Sequence, residues 1–272
     1  MSSDLSPLAL FLFVPADRPE RWTKAFASGA DAVILDLEDA VSANAKSAAR
    51  ESIASSASQL GSFPFLIRIN GADTAWRAAD LDLLERVTAA GVMLPKVNSS
   101  AEVTAVRALV GERPIVALIE TVAGLANVET IAAAADRIAF GSIDFAADLG
   151  CRHERDALLY ARSRIVLAAR LAGRPAPIDG VTRSLRDEAE IIADARHAAS
   201  LGFSGKLLIH PAQVLPTLKG FIPDDADVAW ARGILAGATQ GAAVAADGGM
   251  VDAPVILRAE QIIAATRRFQ GQ

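Results

Sequence analysis

The chain has 272 residues, a formal net charge of −5, and 52% hydrophobic residues. This composition excludes a disordered, collagen-like or coiled-coil protein, and the length suits one large α/β barrel or two small domains. Because the charge balance is acidic, we expect no broad cationic surface and no nucleic-acid partner. The single Cys151 permits neither an intrachain disulfide nor a cysteine metal cage, which fits the reducing cytoplasm.

Two apolar stretches bear on a membrane location. Leu8–Val14 looks like a signal-peptide core, but it is preceded by Asp4 and by no lysine or arginine, so we predict a buried first strand. Leu235–Ala246 is interrupted by Gly237 and by other small or polar residues, and falls far short of about 20 unbroken apolar residues. We therefore expect no membrane segment.

Short apolar runs alternate with amphipathic stretches along most of the chain. The runs are Leu8–Val14, Ala32–Leu37, Pro64–Ile69, Val92–Val97, Pro114–Ile119, Arg137–Phe140, Ala176–Val181 and Lys206–Ile209. Continuous hydrophobicity is typical of strands covered on both faces, and the stretches between them favour crossover helices. Their mean spacing of about 28 residues matches one strand–helix unit. The sequence predicts an α/β fold, a (β/α)8 TIM barrel over residues 1–222.

Residues 223–272 read as a C-terminal extension of helix, Gly-rich loop (Gly241–Gly249) and helix, with a loop that we expect to move. Local signals also place several crossover helices. Predicted helix starts are Pro19-Glu20, Asn44, Asp73, Ser99-Ser100 with Glu102, and Asp187-Glu188. In the longest insertion, Phe145–Pro175, the section Leu158–Ala172 has a helical pattern.

Polar side chains end almost every predicted strand. They are Asp36, Glu38 and Asp39 (strand two), Arg68 and Asn70 (three), Lys96 (four), Glu120 (five), Asp144 (six), Asp179 (seven) and His210 (eight). Carboxylates that converge on one barrel mouth repel each other unless protons or a cation intervene. Oxygen donors without cysteine or clustered histidine favour Mg²⁺, with Mn²⁺ as the alternative. For any one acid, a helix cap or an ion pair with Arg68 or Lys96 is the competing interpretation.

Several segments together resemble a known family. They are Leu12–Arg21, Gly29–Val41, Arg68–Asn70, Leu94–Lys96, Ile119–Thr121, Gly205–Pro211 and Gly249–Pro254. In this order, and over nearly the whole chain, they resemble the citrate lyase β-subunit-like family of the HpcH/HpaI aldolase superfamily. The resemblance implies a Mg²⁺-dependent enzyme that makes or breaks a carbon–carbon bond next to a CoA thioester, as citryl-, malyl- and citramalyl-CoA lyases do, with an oxo acid as the other product.

The resemblance also implies roles for individual residues. Glu120 and Asp144 would bind the metal, while Glu38 and Asp39 would hold metal-bound waters. Arg68 would grip the oxo-acid part of the substrate, with Glu120 beside it. Asp252 would reach a neighbouring subunit's site and transfer protons, which implies a homo-oligomer, often a trimer.

Some questions stay open from the sequence. A malyl-CoA thioesterase, a Schiff-base aldolase using Lys96, or a subunit inactive without a citrate lyase complex are the alternatives, and acyl-carrier protein in place of CoA is a further one. Arg18, Arg21, Lys24 and Lys46 are candidates for CoA phosphate contacts or for a solvated helix face. Ile143 stands where relatives usually have Glu. Strand alternation predicts that it points away from Asp144, with an altered substrate preference.

Overall fold

The structure is a computed structural model, and residues 5–56, 60, 63–87, 91–239 and 251–270 are described below. The chain forms two compact units, Met1–Thr217 and Leu218–Gln272. The predicted Gly-rich loop at Gly241–Gly249 lies outside the described residues.

The first unit is a closed barrel in which parallel strands follow one another in chain order. The strands are β1 (Leu10–Pro15), β2 (Ala32–Asp36), β3 (Phe65–Arg68), β4 (Gly91–Leu94), β5 (Ile115–Ile119), β6 (Arg137–Phe140), β7 (Ile178–Asp179) and β8 (Gly205–Leu208). β1 pairs with β8 and closes the sheet, with Leu12 opposite Leu208. The predicted (β/α)8 barrel is confirmed, and every predicted apolar run contains or overlaps one of these strands.

Alternation along the strands separates an apolar interior from a polar mouth. Every second residue of the strands joins one buried cluster that includes Ile34, Leu66 and Leu118. Two positions further on, the same face of each strand or strand end reaches Asp36, Arg68 and Glu120, at the carboxyl end of the barrel. The interior packing therefore determines which polar side chains point into the mouth.

The helices cover the outside of the barrel and form the second unit. They are α1 (Pro19–Phe26), α2 (Lys46–Ser56), α3 (Arg77–Arg86), α4 (Ser100–Val110), α5 (Val122–Ala126), α6 (Val128–Ala134), α7 (Ser142–Leu149), α8 (Arg155–Leu171), α9 (Glu188–Leu201), α10 (Val214–Phe221), α11 (Asp225–Thr239) and α12 (Ala253–Gln270). Helix α4 buries Val103, Val106 and Val110, the spacing of one helix face.

Most predicted helix starts are confirmed, and two differ. The starts at Pro19, Ser99-Ser100 and Asp187-Glu188 agree with α1, α4 and α9. The start predicted at Asp73 is wrong, because Asp73 lies in a turn and α3 begins at Arg77. A short 3₁₀ turn at Ala43–Ala45 precedes α2 where Asn44 predicted a helix start.

The second unit contains two long helices that pack against each other. Ala231 and Ile234 of α11 and Ala259 of α12 are buried together, with Trp230 packed against them. Small side chains at the contact allow the two helices to approach closely. In the described part of the chain, no helix combines the length and hydrophobicity needed to cross a bilayer.

Arg137 closes the end of the barrel opposite to the polar mouth. This side chain is fully buried at the start of β6. Its Nη1 donates to the carbonyl oxygens of Leu5 and Leu8 at 2.8 and 2.6 Å, and its Nε donates to that of Ala176 at 2.8 Å. One guanidinium therefore ties the N-terminal segment to the loop before β7.

We expect Arg137→Met to lower the free energy of unfolding by about 3 kcal/mol or more, because the carbonyl groups of Leu5, Leu8 and Ala176 would lose the charged donor that they share. Urea denaturation followed by circular dichroism measures the change. The matched control is Arg86→Met at an exposed position of α3, which should change stability by less than about 0.5 kcal/mol. Equal stability of the two variants would contradict this role of Arg137.

Candidate active site at the barrel mouth

A cavity of about 380 Å³ opens at the carboxyl end of the strands. Four of the predicted site residues line it: Asp39, Arg68, Glu120 and Asp144. The apolar part of the lining comes from β1, β5, β6, β8 and the segments after β7 and β8: Phe13, Leu118, Phe140, Val181, Leu207 and Ile209. Side chains from distant parts of the sequence thus meet in one partly apolar cavity.

Arg68 is held rigidly at the side of this cavity. Asp36 and Arg68 are register partners in the β2–β3 pairing, so the fold itself places them side by side. The Nε and Nη2 of Arg68 donate to the two carboxylate oxygens of Asp36 at 2.7 and 2.6 Å. Its Nη1 lies 3.0 Å from Glu38 Oε2, and the ring of Phe13 stacks against the guanidinium. This fork-like pairing fixes the orientation of the guanidinium.

Asp36 also organises the loop after β2. Its carboxylate accepts hydrogen bonds from the backbone N–H groups of Glu38 and Ala40 at 2.9 and 3.2 Å. From the other side, Lys46 Nζ donates to the carbonyl oxygens of Leu37 and Glu38 at 2.7 and 2.9 Å. The loop that carries Glu38 and Asp39 is therefore fixed by one carboxylate and one ammonium group.

Neither predicted alternative for Lys46 is correct. It is only 4% exposed, and its ammonium group lies 4.7 Å from the centre of the Trp76 ring. Lys46 is therefore neither on a solvated helix face nor available for a CoA phosphate. Arg18, Arg21 and Lys24 are exposed, as both predicted alternatives require.

Glu120 is the most unusual group of the cavity. The side chain is 1% exposed. Its Oε1 accepts a hydrogen bond from the backbone N–H of Lys96 at 2.7 Å, whereas the buried Oε2 has no hydrogen-bond partner among the described residues. Burial and the charge of Glu38, with a smaller contribution from Asp144, raise the pKa of Glu120 to about 8. Arg68 and Lys96 oppose this shift without cancelling it.

Gly141 provides the space for the Glu120 carboxylate. A Cβ atom at position 141 would lie 2.4 Å from both Cβ and Oε2 of Glu120, closer than unbonded atoms approach. Any larger residue would push the carboxylate out of its position. The segment Gly141–Asp144 thus contributes to the site in two ways: its glycine leaves space for Glu120, and its last residue is Asp144.

The amine of Lys96 is a charged group and not a nucleophile. Its backbone has a φ of 49°, a left-handed conformation that is uncommon for a residue with a side chain. Its Nζ is hydrogen-bonded to Glu38 and lies 3.5 Å from Asp39 Oδ2. Burial lowers the pKa of Lys96, but the hydrogen bond and charge of Glu38 outweigh it and raise that pKa above its usual value. A protonated amine cannot attack a carbonyl, which argues against the Schiff-base alternative.

Asp144 lies on a helix and not at the end of a strand. β6 ends at Phe140, and α7 begins at Ser142 with Asp144 in its first turn. The prediction that Ile143 points away from Asp144 is therefore wrong: both residues line the cavity, and Ile143 is 43% exposed. An acid followed by apolar Phe145, Ala146 and Leu149 at helical spacing is the signal that would have shown the helix.

The donor set at the cavity fits a hard dication. In the described ranges, no group of three or more His, Cys, Asp or Glu side chains could hold a metal ion by itself. Two carboxylates are enough for Mg²⁺, because this ion keeps several waters or substrate oxygens in its coordination sphere. Glu120 Oε2 has no hydrogen-bond partner among the described residues, and it lies in the same cavity as Asp144. This oxygen is therefore available to bind such a cation.

Other predicted strand-end residues make contacts outside this cavity. Asn70 Nδ2 donates to Asp80 at 2.6 Å, away from the cavity. Asp179, fully buried, accepts from Arg162 Nε at 2.9 Å and from Lys206 Nζ at 3.0 Å. His210 starts a 3₁₀ turn and accepts a hydrogen bond from the N–H of Ala212. These side chains stabilise the barrel ends and loops.

Asp252 lies in the second unit, immediately before α12. Its Oδ1 accepts a hydrogen bond from the N–H of Val255 at 3.1 Å, and the side chain is exposed. This is the geometry of a helix N-cap.

The family of the chain follows from its similarity to known proteins. Residues 9–211 match the HpcH/HpaI aldolase/citrate lyase family, and the chain belongs to that family. The chain is 38% identical to a citrate lyase subunit beta-like protein of Mycobacterium tuberculosis, over 93% of both chains.

Two further relatives and one solved structure extend this result. An L-malyl-CoA/beta-methylmalyl-CoA lyase and a (3S)-malyl-CoA thioesterase, both from Cereibacter sphaeroides, are 37% and 34% identical, over 93% and 97% of this chain and 92% and 96% of theirs. The crystal structure of CitE from Mycobacterium tuberculosis in complex with magnesium, acetoacetate and coenzyme A superposes with a TM-score of 0.83 at 36% identity, covering 97% of this chain and all of that one.

The raised pKa of Glu120 predicts how the metal-free protein responds to pH. A carboxyl group whose pKa in the folded state, about 8, exceeds its ordinary value of 4.5 stabilises the fold fully only below that ordinary value. This contribution is lost as the pH rises through about 8. We therefore expect Glu120→Gln, which stays neutral, to be more stable than wild type at pH 8 by a few kcal/mol, with the difference vanishing near pH 4.5.

Chemical denaturation in EDTA at a series of pH values measures this difference. Glu20→Gln, at an exposed position of α1, is the control and should follow the wild type throughout. A Glu120→Gln protein whose stability difference does not change with pH would show that Glu120 titrates normally.

Proposed function

We propose that this protein is a Mg²⁺-dependent carbon–carbon lyase that cleaves, or in reverse forms, a 3-hydroxyacyl-CoA thioester, yielding an acyl-CoA and an oxo acid. The observation that carries the proposal is the buried, unpartnered oxygen of Glu120 beside Asp144, with Arg68 on the same cavity. The malyl-CoA lyase relative and the magnesium in the related CitE structure support it.

Glu120 and Asp144 would hold the metal ion through their carboxylate oxygens. A bound ion would act as a Lewis acid on the oxygens of the substrate and would make its hydroxyl more acidic. Glu38 and Asp39 would hold water at the edge of the site. Glu38 is already held by Arg68 and Lys96, which fixes the position of its carboxylate.

Arg68 would bind the carboxylate of the oxo-acid part. Its contacts with Asp36 and Glu38 occupy only some of the guanidinium N–H groups, and the side chain still lines the cavity. The remaining N–H groups are oriented before the substrate arrives, which reduces the entropic cost of positioning it. The apolar wall with Phe13 and Leu118 limits water around the reacting carbons and strengthens these electrostatic contacts.

Cleavage needs one proton acceptor and one proton donor. The substrate hydroxyl loses its proton as its carbon becomes the carbonyl of the oxo acid. The electron pair of the broken carbon–carbon bond passes to the carbon next to the thioester, which then takes up a proton. We propose that Asp252 transfers protons in this reaction from the second unit of a neighbouring subunit. This makes the enzyme a homo-oligomer, a trimer or a multiple of one.

A thioesterase is the second candidate, favoured by the malyl-CoA thioesterase relative at 34% identity. The purified chain, incubated with Mg²⁺ and with racemic malyl-CoA and citramalyl-CoA, separates the two. Glyoxylate or pyruvate with acetyl-CoA indicates a lyase, whereas free hydroxy acid with CoA indicates a hydrolase. Turnover by the chain alone would also exclude a subunit that is active only within a larger complex.

The assigned roles predict different phenotypes for two kinds of variant. Glu120→Gln and Asp144→Asn remove metal ligands, so each should weaken Mg²⁺ binding by at least about tenfold. Asp252→Asn should keep the wild-type Mg²⁺ affinity and lose most of its turnover, because asparagine preserves the helix cap but cannot transfer a proton. Isothermal titration with Mg²⁺ and product formation measure the two properties.

Asp227→Asn, at an exposed position in the first turn of α11, is the matched control for the second unit and should leave both properties unchanged. Wild-type Mg²⁺ affinity in all variants would refute the metal site. Wild-type turnover of Asp252→Asn would refute its role in proton transfer.

A further inference from the structure

A second cavity, of about 790 Å³, lies in the first unit beside the barrel. It is formed by the segment before α8, the first turns of α8, the loop after β7, and α9. Among the side chains that line it are Arg155, Arg162, Thr182, Arg183 and Asp194. None of the residues proposed for catalysis lines this cavity, which is large enough for a small metabolite.

Arg162 supplies a buried hydrogen-bond donor that lacks an acceptor. The side chain is only 3% exposed and lines the cavity. Its Nε donates to Asp179 at 2.9 Å, while its Nη1 is buried without a hydrogen-bond partner among the described residues. Because a buried, charged donor without an acceptor is costly, this nitrogen favours a ligand that brings an oxygen atom.

The start of α8 adds a second source of positive potential. This helix has 17 residues, and Glu154 at its N-cap makes no side-chain hydrogen bond to it. Glu154, Arg155 and Asp156 at the helix start all line the cavity. Backbone N–H groups at the start of a long helix favour an anion.

The charges at the floor of the cavity are balanced. Asp179 is shared by Arg162 and Lys206, and Asp194 lies 2.8 Å from Lys206 and 3.7 Å from Arg155. At the floor these two carboxylates thus face two buried cations, Arg162 and Lys206, while the exposed Arg155 and Arg183 add positive charge to the wall. The exposed acids Glu154, Asp156 and Glu190 also line the cavity, and they disfavour a ligand with many negative charges.

We propose that this cavity binds a small molecule through a single oxyanion group, a carboxylate or a phosphate. The group accepts hydrogen bonds from Arg162 Nη1 at the floor, with Arg183 and the start of α8 around it. The rest of the ligand lies toward the acidic residues and is neutral or cationic.

A contact between His153 and Ser142 joins the site to the catalytic cavity. His153 lines the second cavity, and its Nε2 lies 2.9 Å from the Oγ of Ser142, which lines the catalytic cavity. Ser142 packs closely against Gly180: a Cβ atom at position 180 would lie 2.2 Å from the Oγ of Ser142. An occupant that moves His153 would therefore act on the start of α7, which carries Asp144.

Titration of the metal-free, full-length protein with inorganic phosphate, followed by calorimetry, tests the site. We expect saturable binding of one phosphate per chain, weakened by about tenfold or more in Arg162→Gln and in Arg183→Gln, since each loses a charged hydrogen bond. Arg183 is exposed, so its variant keeps the test decisive if Arg162→Gln fails to fold. Arg86→Gln on α3 is the control and should bind like wild type.

Neither Mg²⁺ nor a thioester enters this measurement, so its result is independent of the proposed function. Glu120→Gln should bind phosphate like wild type, which separates the two cavities. Adding coenzyme A tests the limit on charge: undisturbed phosphate binding supports a ligand with a single oxyanion group, whereas displacement of phosphate by coenzyme A, which carries several negative charges, would overturn it. Absence of saturable binding, or equal binding by wild type and Arg183→Gln, would overturn the proposal.

Discussion

The burial of Glu120 next to other carboxylates is the constraint on which the site depends. Taking an ionised carboxylate out of water is costly unless a cation or several hydrogen bonds compensate it. Around the mouth, Arg68 is bound to Asp36 and Glu38, and Lys96 to Glu38 and Asp39. In the part of the chain that the structure describes, Glu120 therefore keeps a single backbone hydrogen bond, from Lys96, and one oxygen without a hydrogen-bond partner. A bound dication would resolve this imbalance, and it would compete with a proton for the same oxygen.

The barrel determines how these charges are distributed. Register pairs Asp36 with Arg68 between β2 and β3, and Asp179 with Lys206 between β7 and β8. On the first side the ion pair borders the catalytic cavity, and on the other it anchors Arg162 beneath the second cavity. Backbone pairing thus fixes the positions of the charged groups on the strands. The loops and helix starts around them add further charged groups, whose positions the strand register does not determine. This arrangement gives a rigid site on a fold whose chemistry is carried at one end.

Much of the fold could be predicted from the sequence because buried parallel strands leave a simple pattern. Continuous apolar runs located all the strands, and the residues at their ends included Arg68 and Glu120. Their packing into one closed barrel brings these ends together whatever the loops do, so a polar mouth was predictable from strand ends alone. The start of α4 was equally clear, since Ser99 and Glu102 stand at the spacing of a helix N-terminus.

The features that the sequence could not predict depend on tertiary contacts, or on short patterns that fit two kinds of local structure. Nothing near Lys46 shows that its ammonium group is buried under the loop after β2, because its acceptors come from that loop and its ring contact from Trp76. The side of Ile143 was misjudged because a short apolar sequence after a strand fits strand alternation and a helix start equally well. The contacts of Arg162 and Asp194 appear only when α8 and α9 pack beside β7 and β8.

The location of a bound ion tests the central claim most directly. Crystals grown with Mn²⁺, which replaces Mg²⁺ at oxygen sites, give an anomalous scattering peak at the position of the metal. The account predicts one strong peak at the barrel mouth, in contact with oxygens of both Glu120 and Asp144, and its loss in Glu120→Gln. A peak that contacts only one of these carboxylates, or one that persists in Glu120→Gln, would contradict it.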